Sequence, residues 1–567
     1  MTVHHPSTYV AGEDEGRLVQ AALDFGLEED QARRPLGNIR RNIAAMLMND
    51  TLESARMHSV GVLGNDEHVD THGNVHKTLT IRRRKPVARV KVPGSPKPDY
   101  GGDLQNLFQQ GPLEMAKEEE EEEEETIDVV EGGSLTAAVF GIIKGTIGPA
   151  ILFLPRGFQL SGYAVAIPLM SMATIAYVYS AHRLLECWRV EKDKAEKLDE
   201  IRALLLESSN AADYGTNNED GKASQNSSVL LTYPELARRA FGEASIIVQA
   251  GIALLQFGVC LTYFIFVPQN LYEATKVLFG VEVNILVFIV AMVVIEVPMS
   301  WIRDIRKLTP FNVLATFLIA FGLASCLLIA TWEIAKDPNS NYVDRLLALP
   351  PANKDTWYLF IGTAFYEFEG CITLIVPLQE AVFREEDKKK FPSMNQAITT
   401  WIVAFYMFFS LTCWAAFGES VKSALTASLP PGLFSAIVQL AYSIAVIFTF
   451  PLQAFPALEV VFHHAVGGRS DPSEATKLNT MSSIIVCLLA VIAYSAIDYL
   501  GNVASLLGSL VGIPIALICP ALMHNKLVKN APTSIRRMNY LVAGVGVIAT
   551  GVTTFTTIVS WNKGAEG

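Results

Sequence analysis

Long apolar runs alternate with short polar stretches from about residue 134 to residue 560. Runs of about 18 residues or more with few charges are typical of transmembrane helices. We therefore predict an all-α integral membrane protein that crosses the membrane eleven times. The predicted spans are residues 134–159, 163–188, 243–271, 281–300, 311–334, 356–380, 396–418, 433–461, 480–499, 502–524 and 538–560.

The first 130 residues show a different pattern, polar and charged with no sustained hydrophobic period. This composition is typical of a disordered segment, so we predict a disordered cytosolic tail over residues 1–130 and a membrane domain over residues 131–567. A long cytosolic loop is expected at residues 190–242, with a polar helix within it at residues 192–206. Residues 1–25 contain no apolar stretch of a secretory signal, so the first span is expected to direct insertion.

The distribution of charge between the loops indicates the orientation of the chain in the membrane. The chain carries a net charge of −12, much of it in the acidic run Glu118 to Glu125. Lysine and arginine are concentrated after the fourth, sixth and tenth predicted spans, and the alternate loops contain few of them. Because positive loops stay on the cytosolic side, we predict a cytosolic N-terminus. None of the seven cysteines has metal-ligand spacing, which argues against a zinc site.

The first predicted span contains Lys144, Gly145, Gly148 and Pro149, residues that a membrane helix disfavours. A backbone that unwinds inside a bilayer is tolerated only where it is buried in protein or faces a watery cavity. Lys144 would be costly in lipid, which points to a functional site rather than a simple kink.

The sixth predicted span is interrupted by two acidic residues and a glycine, Glu367, Glu369 and Gly370. Charged side chains at membrane depth usually face a cavity or a partner, so Lys144 and Glu369 are candidates to face each other or a shared site. Breaks five spans apart predict an inverted five-plus-five repeat with one extra C-terminal helix. In such a repeat, a half-helix N-terminus can bind an anionic group.

Other polar residues inside the spans are weaker candidates. Tyr263, Ser443 and Thr449 are predicted to line the same cavity, although ordinary hydrogen bonding between helices explains them equally well. Glu186 and Glu296 lie near span ends and are expected to reach the membrane interface. Glu380 is assigned to a hydrophilic loop.

At these residues the chain resembles the amino acid/auxin permease family, particularly its proton-coupled and fungal vacuolar amino acid transporters. The resemblance covers residues 135–560 and is carried by ordered motifs. They are I-I-K-G-T-I-G-P-A-I-L-F-L-P at residues 142–155, G-T-A-x-x-x-F-E-G at residues 362–370 and A-S-L-P at residues 427–430. The resemblance implies proton-driven secondary transport of amino acids in the inverted-repeat fold, with the backbones of both breaks lining the substrate site.

Three departures from the family pattern affect the predicted mechanism. Pro149 and Ala150 replace a small Thr/Ser-Gly pair, and Gly141 replaces a histidine that proton-coupled animal members carry. Glu367 is an additional acid, and we predict that it accepts the coupling proton, as Glu369 also could, because burial favours the protonated acid. The predicted substrate-binding residues are Lys144, Gly145, Thr146, Ile147, Gly148, Pro149, Ala150, Phe368, Glu369 and Gly370.

The sequence therefore predicts a proton-coupled transporter of small or neutral amino acids that works by alternating access. Sodium coupling through carbonyl groups of the first break and the hydroxyl groups of Ser443 and Thr449 is the nearest alternative. A receptor that signals through the cytosolic tail is the alternative from another class. No nucleophile–base pair or metal cluster indicates an enzyme. The expected partners are an amino acid and the lipid bilayer, with no nucleic acid and no cofactor beyond the coupling ion, and the oligomeric state stays open.

Two motifs bear on the membrane in which the protein resides. Residues 200–205 have the acidic di-leucine form of an endolysosomal sorting signal, and F-L-P-R-G-F at residues 153–158 resembles the vacuolar members. They favour a vacuolar or lysosomal membrane over the plasma membrane.

Overall fold

The computed structural model of the chain describes nine stretches and divides into two units. The described stretches are residues 61–69, 75–82, 125–129, 135–210, 231–303, 305–336, 342–382, 384–466 and 472–561. One unit contains residues 1–131, 197–228 and 468–470, and the other contains the rest of the chain. Each unit is described separately.

The smaller unit contains a three-stranded antiparallel sheet. Its strands, in the order β1-β2-β3, are β1 (Gly61–Val69), β2 (Val75–Arg82) and β3 (Glu125–Val129). Gly61 pairs with Arg82 and Lys77 pairs with Val129, with a register shift between Val62 and Asn65. These strands lie in the segment for which we predict no regular structure. Most of that segment is outside the described residues, so a disordered tail stays a prediction.

The described residues from 135 onward form sixteen α-helices with short 3₁₀ and π segments and no strand, and the end of one helix, residues 197–210 of α3, belongs to the smaller unit. The helices are α1 (Leu135–Thr146), α2 (Leu154–Ser161), α3 (Tyr163–Asn210), α4 (Tyr233–Phe241), α5 (Ser245–Phe279), α6 (Ile285–Met299), α7 (Ile305–Ala335), α8 (Tyr342–Ala348), α9 (Leu359–Tyr366), α10 (Glu369–Ala381), α11 (Glu385–Phe417), α12 (Leu433–Val466), α13 (Pro472–Ser495), α14 (Leu500–Leu507), α15 (Cys519–Leu527) and α16 (Thr533–Val559).

Ten helical segments among the described residues are long and apolar enough to cross a membrane. The one predicted span that is not among these ten is the fourth, residues 281–300, which corresponds to the 15-residue helix α6. At about 1.5 Å per residue α6 is about 22 Å long, shorter than a hydrocarbon core of about 30 Å. It begins after Asn284, whose side chain accepts a hydrogen bond from the Leu286 amide at 2.9 Å. The class of all-α multi-pass membrane protein is thus confirmed.

The first predicted break is present and is sharp. Helix α1 ends at Thr146, and Gly148 adopts an extended conformation (φ −123°, ψ −172°). A 3₁₀ turn over Pro149–Phe153 then leads into α2. Proline has no amide hydrogen and glycine weakens a helix, so the two residues together explain the interruption. We call residues 135–161 the first broken segment.

The second predicted break is present but much milder. Helix α9 ends at Tyr366 and α10 begins at Glu369, with only Glu367 and Phe368 between them. Both linking residues keep dihedral angles near the right-handed helical region, so the chain hardly changes direction there. We call residues 359–381 the second broken segment. The two segments lie five predicted spans apart, as the inverted repeat requires.

Helix α3 runs well past the predicted end of the second span. It continues to Asn210, and α4 precedes α5, so the predicted loop at 190–242 is partly helical. Residues 191–197 are charged and high in helix propensity, which lets a membrane helix extend into water. Residues 211–230 lie outside the described residues.

The tenth span differs from the uniform helix predicted over 502–524. Between α14 and α15 the chain forms π-helical turns over Gly508–Gly512 and Pro514–Ile518. These turns pack directly against the backbone of the second broken segment. A Cβ atom added to Gly508 would collide with the carbonyl oxygen of Gly362. Small residues permit such close helix approach within a membrane.

Candidate functional site

The two broken segments lie against each other next to their breaks. A Cβ atom added to Gly370 would lie 3.0 Å from the carbonyl oxygen of Gly145, so the backbones are almost in contact. One turn farther along α10, Leu374 lies against Gly145, where an added Cβ would be 2.9 Å from its Cδ1 atom. Gly145 and Gly370, both predicted from sequence, are thus brought together by the fold.

Tyr406 on α11 binds the free carbonyl group at the first break. Its hydroxyl group donates a 2.7 Å hydrogen bond to the carbonyl oxygen of Thr146, the last residue of α1. The Thr146 side chain meanwhile donates to the Ile142 carbonyl oxygen at 2.7 Å. A carbonyl group released by a break must find a donor inside a membrane protein, and Tyr406 supplies it.

Glu367 lies between the two halves of the second broken segment and is buried, with 4% of its surface exposed. Neither carboxyl oxygen has a hydrogen-bond partner among the described residues. The carboxyl group is close enough to Tyr406 for the two to interact electrostatically. Tyr406 therefore binds a backbone carbonyl group of the first break and lies within electrostatic range of the buried acid of the second.

Phe368 is fixed by aromatic stacking. Its ring is 4.5 Å from that of Tyr177 on α3, at an interplanar angle of 16°. The thiol group of Cys371, one turn later, lies beside the hydroxyl groups of Thr146 and Tyr177. These contacts hold α3 and both broken segments together. Phe368 packs against an aromatic ring, so its side chain is part of the wall of the site.

Helix α5 forms another wall. The hydroxyl groups of Thr262 and Tyr366 are 2.9 Å apart, which ties α5 to the last residue of α9. The ring of Phe153, in the 3₁₀ turn after the first break, lies 6.1 Å from that of Tyr366. Tyr263, predicted to line the cavity, is buried on the same helix.

The predicted residues around the first break differ in exposure. Pro149 is buried, whereas Ile147, Gly148 and Ala150 are half-buried, and an added Cβ at Gly148 would meet nothing within 4 Å. Lys144 is exposed, on the face of α1 that also carries the exposed Phe140. The side chain of Glu369 lies outside the described residues, so a contact between Lys144 and Glu369 stays a prediction.

Ser443 and Thr449 lie on α12, and both hydroxyl groups bond to their own helix. Ser443 donates to the Gln439 carbonyl oxygen at 2.8 Å, and Thr449 donates to that of Ala445 at 2.7 Å. Their predicted role in lining the cavity or holding sodium stays a prediction.

Two acidic residues lie in surroundings that we did not expect. Glu296 on α6 does not reach an interface: it is fully buried, and both carboxyl oxygens lack hydrogen-bond partners among the described residues. Glu380 is not in a loop but near the end of α10, where it accepts hydrogen bonds from Trp188 and Lys192 of α3. Hydropathy alone cannot find such contacts, because they depend on which helices become neighbours.

Side chains of α2, in the second half of the first broken segment, bind the chain that follows α11. Arg156 donates to Gln159 at 2.6 Å and to the carbonyl oxygen of Val421 at 3.1 Å. Gln159 in turn donates to Glu419 at 3.2 Å. Polar contacts thus link the first broken segment to the chain after α11, as Glu380 links the second to α3.

We expect Tyr406→Phe to reduce transport about tenfold while the protein still folds. The change leaves the Thr146 carbonyl group without its donor, and an unsatisfied buried group costs about 1–3 kcal/mol. Initial rates of substrate uptake into proteoliposomes measure the effect. Tyr442→Phe is the matched control, because the buried Tyr442 hydroxyl group has no hydrogen-bond partner among the described residues. Equal rates for the two variants would contradict a role of Tyr406 at the break.

These observations define a class of protein: a multi-pass helical membrane protein in which two interrupted helices pack against each other next to their breaks. The chain belongs to the transmembrane amino acid transporter family. The family model, described as "Transmembrane amino acid transporter protein", matches residues 217–560. The match includes the second broken segment and begins after the first. Membership confirms the family resemblance predicted from the motifs, and the family is one of transporters and not of enzymes.

Individual relatives and a solved structure are also similar to this chain. Vacuolar amino acid transporter 3 of Saccharomyces cerevisiae is 28% identical over 442 residues, which cover 76% of this chain and 57% of the relative. Vacuolar amino acid transporter 3 of Schizosaccharomyces pombe is 26% identical, with coverage of 74% and 57%. The chain therefore spans little more than half the length of these relatives. The inward-facing conformation of Mhp1 superposes with a TM-score of 0.47 at 12% identity, over 76% of this chain and 91% of that one.

Proposed function

We propose that this protein is a secondary active transporter that carries small or neutral amino acids across a membrane by alternating access. The close approach of the two broken segments at Gly145 and Gly370 is the observation that carries the proposal. An interrupted backbone inside an apolar bundle supplies amide and carbonyl groups that a substrate can bind. Membership of the amino acid transporter family gives the class of substrate.

The substrate is held by backbone groups of both breaks. The amide groups at the start of α10, around Glu369 and Gly370, form the positive end of its helix dipole and suit the substrate carboxylate. Carbonyl groups at the end of α1 suit the ammonium group. The open space beside Gly148 leaves room for a small side chain. Lys144, which is exposed on α1, is the remaining residue predicted to contact the substrate.

Glu367 accepts the coupling proton. An ionised carboxyl group buried without a partner is costly, and uptake of a proton removes that cost. Glu367 lies beside Tyr406, which holds the carbonyl group of the first break, so its protonation state can alter the site itself. Glu369, two residues later, is the second candidate for this role.

The protein resides in a vacuolar or lysosomal membrane with its N-terminus in the cytosol. The names of the two fungal relatives support this location. The uneven distribution of lysine and arginine between loops supports the orientation.

Uptake of labelled amino acids into proteoliposomes tests the proposal, with proton and sodium gradients imposed separately. Uptake driven by a proton gradient alone is the expected result. Uptake that requires sodium would refute proton coupling and direct attention to Ser443 and Thr449. Binding without uptake under either gradient would refute transport and favour a receptor. Deletion of residues 1–126 then separates the two classes, because a carrier keeps its transport whereas a receptor loses its output.

A further inference from the structure

A groove of about 430 Å³ lies between α3 and α11, on the far side of these helices from the breaks. Tyr177 and Tyr406 point from the same two helices toward the broken segments. We propose that this groove binds one anionic phospholipid of the surrounding bilayer. The proposal concerns a surface that substrate transport does not use, and it stands independently of the proposed function.

The length of the groove matches one leaflet. Along α3 it extends from Ser171 to Arg183, which at about 1.5 Å per residue is about 18 Å. Half of a hydrocarbon core is about 15 Å. Just beyond Arg183, α3 becomes highly charged at residues 191–197, and α11 is equally charged at residues 385–390 before it reaches the groove. The Arg183 end therefore lies near a membrane interface, and the Ser171 end lies near the midplane.

The inner part of the groove suits a hydrocarbon chain. Ile175 and Val178 on α3 face Ala404 and Met407 on α11. The hydroxyl group of Thr174 donates to the Met170 carbonyl oxygen at 2.7 Å, and that of Thr400 donates likewise to Gln396 at 2.8 Å. Because both hydroxyl groups are satisfied within their own helices, this part of the groove offers no free donor to a polar solute.

The outer end of the groove suits a phosphate group. It is lined by Tyr179, His182, Arg183 and Gln396. The Arg183 guanidinium group lies 5.1 Å over the Tyr179 ring and pairs with Glu186 at 2.6 Å. Its Nε atom is buried and has no hydrogen-bond partner among the described residues.

More positive charge lies nearby on the same helices. Arg189 on α3 and Lys389 and Lys390 on α11 are exposed toward the interface. Acidic residues lie in the same region: Glu186 pairs with Arg183 at the rim, and Glu385, Glu386 and Asp387 precede the lysines on α11. Positive residues at a membrane surface attract anionic lipids, each contributing an amount comparable to thermal energy. Arg183, which lines the groove itself, therefore favours an anionic headgroup over a zwitterionic one.

Binding is measured on the purified full chain in detergent, by native mass spectrometry and by thermal unfolding, with phosphatidylglycerol, phosphatidylcholine or inorganic phosphate added. We expect phosphatidylglycerol to bind and raise the unfolding temperature, since a ligand of the native state stabilises it. We expect phosphatidylcholine to bind at least about fivefold more weakly, as one lost basic contact would produce. Inorganic phosphate alone should have no effect, because it lacks the chain that fills the groove.

Two variants and a control locate the lipid. Ala404→Trp fills the apolar part and should weaken phosphatidylglycerol binding about tenfold, the effect of losing about two buried methylene groups. His182→Glu places a negative charge at the exposed rim and should remove the preference for the anionic lipid. Met172→Trp is the matched control, because Met172 is exposed on α3 outside the groove.

Three results would overturn the proposal. Equal affinity for the two lipids would exclude a headgroup site, and full binding by Ala404→Trp would exclude the groove. Stabilisation by inorganic phosphate equal to that by phosphatidylglycerol would identify a site for a free anion instead. Each readout is independent of transport, so failure here leaves the proposed function untouched.

Discussion

Glu367→Gln is expected to abolish the response of uptake to a proton gradient while leaving substrate exchange intact. Glutamine has nearly the shape of the protonated acid but cannot release a proton. Binding of a proton then no longer changes the affinity for the substrate. Such coupling between two ligands typically changes an affinity about 5- to 150-fold. Uptake into proteoliposomes at several external pH values measures the effect: the wild-type rate should rise as the outside is acidified, and the variant rate should not change. Counterflow without a gradient reports whether the site still binds substrate.

Glu296→Gln provides a matched control for this experiment. Glu296 is also a buried carboxyl group without a partner among the described residues, but it lies on α6 and not at a break. We expect this variant to keep its pH dependence. If Glu367→Gln kept proton-driven uptake, Glu367 would not be the coupling group. If only Glu296→Gln lost it, the coupling group would lie on α6.

Gly508→Ala is expected to prevent correct folding. A Cβ atom there would occupy the position of the Gly362 carbonyl oxygen and lie 2.8 Å from the Tyr366 amide nitrogen. Both neighbours are backbone atoms of α9, so neither can move without displacing the second broken segment. Overpacking a core costs about 1–3 kcal/mol and occasionally more, and we expect a value at or above the top of this range. Size-exclusion profiles and the thermal unfolding midpoint of the solubilised protein measure the loss.

Gly544→Ala and Gly551→Ala serve as controls on α16. A Cβ atom added at either position would meet nothing within 4 Å. Alanine is also the better helix former by about 1 kcal/mol, so these variants should match or exceed the wild type. A Gly508→Ala protein with an unchanged profile would show that α9 and the π-helical turns are packed less closely than described.

The positions of both breaks could be predicted from sequence because their causes are local. Gly148 and Pro149 disfavour a helix whatever surrounds them, and Glu367 is conspicuous in an apolar run. The sharpness of each break was less predictable. Gly148 turns the first into an extended link, whereas the second keeps a nearly helical course through Glu367 and Phe368.

The partners of each polar residue could not be predicted from sequence. Tyr406 was missed because a tyrosine in an apolar span is ordinary, and its bond to the Thr146 carbonyl group exists only once α11 packs against α1. The short α6 was missed because hydropathy marks apolar runs, not where a helix ends. For the same reason the polar helix predicted at residues 192–206 was not predicted to be continuous with α3. A buried Glu296 was missed because position along a span does not reveal which face a neighbouring helix covers.

The sequence by itself determined the class of membrane protein, the two breaks and the family, because hydrophobic runs, helix-breaking residues and ordered motifs are properties of short segments. Only the tertiary structure decided that Gly145 meets Gly370, that Tyr406 binds the Thr146 carbonyl group and that a groove lies between α3 and α11. These features depend on contacts between residues hundreds of positions apart. Such contacts are set by how helices pack together, which the pattern along one helix does not specify.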